Sequence, residues 1–153
     1  MMLPEGERSF RSFCPWKGGI SVAEPWRVLV VEDDGTVGDT LAAFLEDEGF
    51  DVRLVRSGEE ALAILRSGWI PRVGVVDLRL PGMDGRAVVE CARVLAPSMH
   101  FLVHTGSPGG VVEDVASSMG VDAKDIFIKP VRDLGLLVER LRRSGEGVDE
   151  HGA

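Results

Sequence analysis

Asp33, Asp77, Thr105 and Lys129 each end or follow a short apolar run: Val28-Leu-Val-Val-Glu-Asp-Asp34, Val73-Gly-Val-Val-Asp77, Phe101-Leu-Val-His-Thr105 and Ile126-Phe-Ile-Lys-Pro130. Short runs rich in β-branched residues read as buried strands. An open parallel sheet covered by helices on both faces collects its chemistry outside the carboxyl ends of its strands, so these side chains are set to converge. Glu32, Asp33 and Asp34 are consecutive, and adjacent carboxylates repel unless a cation lies between them. Hard oxygen ligands suit Mg2+, which takes one or two carboxylates and keeps several waters. Acids before a helix are also favoured by the helix dipole alone. Asp77 tips the balance toward a site. A carboxylate there can share the cation and attack phosphorus, since carboxylates form covalent acyl phosphates. The Lys129 ammonium can pair with Asp77 and then with phosphoryl oxygens, and the Thr105 hydroxyl can donate to one. Asp84, just before Gly85, reads instead as a helix N-cap.

The elements that must position these groups alternate strand and helix from Arg27 onward. Val28–Glu32 is read as a strand; Val37, Leu41, Phe44, Leu45 and Glu48 follow helical spacing, with Gly49 as a C′ stop. Asp51–Val55 is a second strand, and Ser57-Gly-Glu-Glu60 is a capping box opening a helix that runs to Gly68. Arg72–Asp77 is the third strand, and Val88, Cys91, Ala92 and Leu95 give the next helix one apolar face before Pro97. Met99–Thr105, a weak helix over Val111–Met119, and Asp125–Lys129 follow. Leu134, Leu137, Val138 and Leu141 form a clean helical stripe at the end. This (βα)5 alternation predicts an α/β fold, a doubly wound parallel sheet with right-handed crossovers.

Composition bounds the rest. The chain has 153 residues, 44% apolar and 27% charged, with net charge −8. That excess of acid argues against a nucleic-acid binder working by phosphate neutralisation. Cys14 and Cys91 lie far apart, which fits a reducing, cytoplasmic setting better than a disulfide framework. No apolar window is long enough to span a membrane. Residues 1–26 are broken by Pro and Gly and read as a poorly ordered extension, 27–143 as the domain, and 144–153 as an acidic C-terminal tail. Phe10, Phe13, Trp16 and Trp26 make that extension unusually aromatic for disorder. His100 and His104 share a strand face about 13 Å apart, too far for one metal.

With these residues in view, the stretch from Arg27 to about Arg143 resembles a response-regulator receiver domain of the CheY-like, flavodoxin-like type. Val30-Val-Glu-Asp33, Val76-Asp-Leu-Arg-Leu-Pro-Gly-Met-Asp-Gly85, Thr105-Gly106 and Lys129-Pro130 carry the resemblance. It implies strand order 2-1-3-4-5, with Asp77 as phosphoacceptor. Asp33 and Asp77 would bind Mg2+ directly, with the Arg79 main-chain carbonyl as a further ligand and Glu32 assisting through water. Thr105 and Lys129 would contact the phosphoryl group, and the Lys129–Pro130 bond would be cis. The family usually places Tyr or Phe three residues before the Lys as a switch; here that position is Ile126, and Phe127 faces the other way. The Gly/Pro-rich segment after Thr105 argues for a late-starting fourth helix and leaves dimerisation open.

The chain is read as a stand-alone receiver. It would take phosphate from a sensor histidine kinase or a histidine phosphotransfer protein and signal to a downstream protein target by contact, without being an enzyme on a separate substrate. Rival readings are a receiver-fold interaction module that works unphosphorylated, and a small Mg2+-dependent aspartyl phosphatase. The phosphatase is disfavoured because Leu78 and Arg79 stand where a general acid would help. A dinucleotide or P-loop site is disfavoured because no glycine fingerprint follows the first strand. If the register of the acidic cluster is right, Asp33→Ala weakens Mg2+ binding and slows phosphotransfer, whereas Asp34→Ala does much less. Titration of both variants with Mg2+ and labelling by acetyl phosphate measure this; equal losses would mean the register is wrong.

Overall fold

The computed structural model describes residues 25–106 and 112–152, with side chains described through Ser144. Residues 1–24 of the expected extension and 107–111 of the Gly/Pro loop lie outside the described residues. Five parallel strands form one sheet in the order β2-β1-β3-β4-β5. They are β1 (Arg27–Val31), β2 (Asp51–Val55), β3 (Val73–Val76), β4 (His100–Thr105) and β5 (Ile126–Ile128). The crossovers are helices α1 (Gly35–Asp47), α2 (Gly58–Arg66), α3 (Gly85–Leu95) and α4 (Val112–Met119), and α5 (Leu134–Gly152) follows β5. The predicted doubly wound (βα)5 architecture is therefore the observed one. Strand order reverses between β1 and β3, the topological switch point where such sheets open a crevice.

The two faces of the sheet are packed separately. Leu29, Val31, Val76, Phe101 and Val103 point to the side covered by α2, α3 and α4, together with Leu62, Val88, Ala92 and Val115. Val28, Val30, Val73, Val75 and Leu102 point to the side of α1 and α5, against Leu41, Leu45, Leu137 and Leu141. Every residue of β3 is buried, which is why that strand reads as a continuous apolar run rather than an alternating one. The predicted stripe of α5 holds: Leu137, Val138 and Leu141 are buried and Leu134 packs beside them. Among the described residues no helix is long and apolar enough to cross a membrane.

Local signals act largely as the sequence implies. Asp34, Ser57 and Asp84 are N-caps, accepting from the main-chain N–H of Val37, Glu60 and Ala87. The capping box differs in its return arm: Glu60 Oε1 accepts from Arg56 N–H at 2.8 Å, one residue before the cap. Gly49, at φ 100°, ends α1 in the left-handed region. The fifth strand is shorter than expected. Asp122 accepts from Lys124 N–H and opens a 3-10 turn over Ala123–Asp125, so Asp125 leaves the strand and its buried carboxylate binds Arg140. The stretch assigned to an acidic tail continues the backbone of α5 to Gly152. Trp26, assigned to the extension, is half-buried and packs against Phe50 at 6.2 Å between ring centroids.

Gly85 controls how α3 meets the loop after β3. Its N–H donates to Leu78 O at 2.9 Å, and a Cβ there would lie 2.4 Å from Asp77 O and 2.7 Å from Leu78 Cα. Both are backbone atoms that cannot turn aside, unlike the tip of a flexible side chain. Gly85→Ala is expected to push α3 off this loop and destabilise the fold by about 1–3 kcal/mol. Urea melts measure the loss; a variant as stable as wild type would show that the loop yields freely.

Candidate functional site

The acidic and basic groups singled out in the sequence meet at the carboxyl ends of β1, β3 and β5. Glu32 and Asp77 are buried, 1% and 4% exposed, while Asp33 is exposed. Strand alternation explains the split. Glu32 continues the parity of Val28 and Val30, and Asp77 that of Val73 and Val75, so both turn to the α1/α5 side. β1 and β3 pair in register with Val31 opposite Val76, which sets Glu32 beside Asp77. One oxygen from each of Glu32, Asp33 and Asp77 lies within 4.8 Å of the others.

Lys129 reaches into this pair. Its Nζ donates to Glu32 Oε1 at 2.9 Å and Oε2 at 3.1 Å, and to Asp77 Oδ2 at 2.9 Å. The sequence anticipated the contact with Asp77; the tighter hold on Glu32 it did not. Main-chain donors add to this: Asp77 Oδ1 accepts from Arg79 N–H at 3.0 Å, and Glu32 Oε2 accepts also from Asp34 N–H at 3.2 Å. Lys129–Pro130 is cis, as the resemblance implies. Lys129 N–H donates to Thr105 O at 2.8 Å, so the main chains that carry these two residues are tied together. Thr105 is fully buried.

The charges explain the titration behaviour. Burial raises the Glu32 pKa above the ordinary carboxylate range, and nearby Asp77 adds to that; the Lys129 and Asp34 hydrogen bonds oppose it. Burial works against the charge on Lys129, yet its hydrogen bonds to Glu32 and Asp77 outweigh burial and raise its pKa. Three carboxylates against one ammonium leave two negative charges in excess, the complement of one divalent cation. The donor set fits Mg2+: oxygen ligands only, with two carboxylates already oriented by N–H donors.

His104 is the residue whose position the sequence reading did not use. It alternates with Leu102 and so faces the α1/α5 side, 4% exposed, with Nδ1 3.7 Å from Glu32 Oε1. Burial, then the positive charge of Lys129, lowers its pKa to about 4, against a smaller opposing pull from Asp77. Its parity with Leu102 was the available signal. Ile126 and Phe127 do face opposite ways: Ile126 is buried in the core beneath α4, and Phe127 packs on the other side.

Comparison with known proteins fits this geometry. Residues 28–142 match the family described as the response regulator receiver domain. The chain belongs to that family. The DNA-binding response regulator MtrA of Mycobacterium tuberculosis is 31% identical over 123 residues, 78% of this chain and 52% of that protein. A protein-glutamate methylesterase/protein-glutamine glutaminase 2 of Rhodopseudomonas palustris is 31% identical over 117 residues, 76% of this chain and 31% of that protein. The receiver thus spans about half or less of these relatives. A CheY-like receiver domain protein from Methanospirillum hungatei superposes with TM-score 0.72 at 27% identity, covering 83% of this chain and 98% of that one.

In this receiver, Lys129→Met leaves Glu32 and Asp77 as adjoining buried carboxylates without their ammonium. A loss of about 1–3 kcal/mol is expected near neutral pH. Glu32, already raised, moves further up; a carboxyl raised in the fold favours folding at low pH, and that contribution fades as pH rises through its folded pKa. The deficit against wild type is therefore smaller at about pH 4.5 than at about pH 7.5, where both carboxyls ionise in the unfolded chain. Urea melts at the two pH values, without added divalent cation, measure the difference; a deficit independent of pH would contradict it.

Proposed function

We propose that this receiver takes a phosphoryl group onto Asp77 from the phosphohistidine of a sensor histidine kinase or histidine phosphotransfer protein. The observation that supports this best is the Lys129 ammonium shared between Asp77 and Glu32, with Asp33 close by. Asp77 is held by Arg79 N–H on one oxygen and Lys129 on the other, so its carboxylate is oriented before a donor arrives. An Asp77 oxygen forms a bond to phosphorus as the bond from phosphorus to the donor imidazole nitrogen breaks, and the imidazole leaves with that electron pair. Lys129 follows the charge from Asp77 to the new phosphoryl oxygens, and the Thr105 hydroxyl donates to one of them. Positioning and electrostatics carry most of such a transfer. Mg2+ would be held by Asp33, Asp77 and the Arg79 main-chain carbonyl, with Glu32 acting through water, and would supply charge that offsets the phosphoryl oxygens.

Signalling is then by protein contact, in the cytoplasm, with a downstream protein as target and without direct binding of nucleic acid or membrane by residues 27–143. The chain is a phosphoacceptor, catalysing only its own phosphorylation and dephosphorylation. With Ile126 buried at the usual aromatic position, a side chain stiff at χ1 replaces the swinging ring. Activation is then centred on the loops after Asp77 and Thr105, with little phosphorylation-driven dimerisation. The rival module that works unphosphorylated predicts no dependence on Asp77.

Asp77→Asn is nearly isosteric and removes charge from an acidic cluster, so it is expected to abolish covalent phosphorylation while stability holds or rises. Intact mass after incubation with acetyl phosphate and Mg2+ tests both. Labelling of the Asn variant at the wild-type rate would sink the assignment.

A further inference from the structure

His104 Nδ1 is buried and has no hydrogen-bond partner, alone in this among the side-chain atoms of the described residues. Native proteins rarely bury a polar atom unpaired, and doing so is costly. The position alternates with Leu102 on a packed face, so an apolar residue would cost less. At 3.7 Å from Glu32 Oε1, Nδ1 lies outside hydrogen-bond reach by less than an ångström. His104 also lines a cleft of about 450 Å³ with Val37, Thr40, Lys129, Pro130 and Leu134, which gives the ring and the lysine room to shift.

Glu32 explains why a donor is kept there. Its carboxylate is 1% exposed, and Lys129 contacts both of its oxygens. If Asp77 becomes phosphorylated, the dianionic phosphoryl group competes for that same ammonium. As Lys129 turns to it, Glu32 Oε1 is left buried without its donor, while the Asp34 N–H serves only Oε2. We propose that His104 is a positioning residue that donates Nδ1–H to Glu32 Oε1 once Lys129 has moved to the phosphoryl group, holding Glu32 oriented for its water-mediated contact with Mg2+. A neutral imidazole carries one N–H and can place it on either nitrogen, so the change needs only that tautomer and a closure to about 2.9 Å. Direct ligation of the cation by His104 is disfavoured, since the donor set that comes together is Glu32, Asp33 and Asp77. The inference rests on Asp77 being the phosphoacceptor.

The test uses the full chain as wild type, His104→Leu and His104→Asn, with Mg2+ and beryllofluoride as the phosphoryl mimic. Asn can place an amide N–H near the Nδ1 position; Leu cannot. In wild type, long-range 1H–15N spectra of the imidazoles are expected to show a His104 Nδ1–H that becomes hydrogen-bonded and protected from exchange only in the beryllofluoride state. His104→Leu, which removes an unpaired polar atom, should be at least as stable as wild type. It should nevertheless need about tenfold more Mg2+ to half-saturate the beryllofluoride complex, the size of effect one charge-assisted hydrogen bond allows. His104→Asn should restore most of that affinity. An unchanged His104 signal, or a folded His104→Leu that matches wild type in Mg2+ requirement, would overturn the role of His104 alone. A wild-type protein that takes no beryllofluoride would overturn the phosphoacceptor reading and this one with it.

Discussion

The ammonium of Lys129, 2.9 Å from both Glu32 and Asp77, is the contact on which the carboxyl end of the sheet depends. Two buried carboxylates on neighbouring strands would repel, and the β1–β3 pairing puts them side by side. A cation from β5 offsets that repulsion, and it must cross over β4 to do so. The Lys129 N–H to Thr105 O bond fixes the point from which the side chain departs. Breaking a buried pair costs more than the pair contributes, so the arrangement is stable while occupied and sensitive to anything that draws the ammonium away.

That sensitivity sits on a stiff base. β1, β3 and β4 are the most deeply buried strands, and the loop after β3 is clamped by Gly85 N–H on Leu78 O and by the Asp84 cap of α3. α3 is in turn fixed to α4: Arg86 donates to Ser118 Oγ, and Arg93 donates to the carbonyls of Met119 and Gly120. Charge is thus changeable at one end of a frame whose packing is closed, which is what a receiver needs if a local event is to be read as a change of surface.

The amino ends of the strands are built on different chemistry. Arg27 and Arg53 lie over Trp69 at 5.6 and 4.9 Å, Arg72 over Trp26 at 4.4 Å, and Arg142 over Phe50 at 4.8 Å. Each such contact contributes about 0.5–1 kcal/mol at an exposed site. Acids gather at the end where the sheet opens, and arginines cover aromatic rings at the end where it closes.

Read alone, the sequence was enough for the order of elements, the two-sided burial of β3, the helix caps at Ser57 and Asp84, the stop at Gly49, and the convergence of Asp33, Asp77 and Lys129. These are local: periodicity, turn chemistry and the termini of apolar runs are encoded within a few residues. The bond from Lys129 to Glu32 and the burial of His104 beside them were decided by tertiary structure. Both depend on which strands are neighbours and on their register. Residues 97 positions apart, such as Glu32 and Lys129, meet only after the sheet is ordered β2-β1-β3-β4-β5, and nothing in the spacing of either residue's own segment specifies that distance.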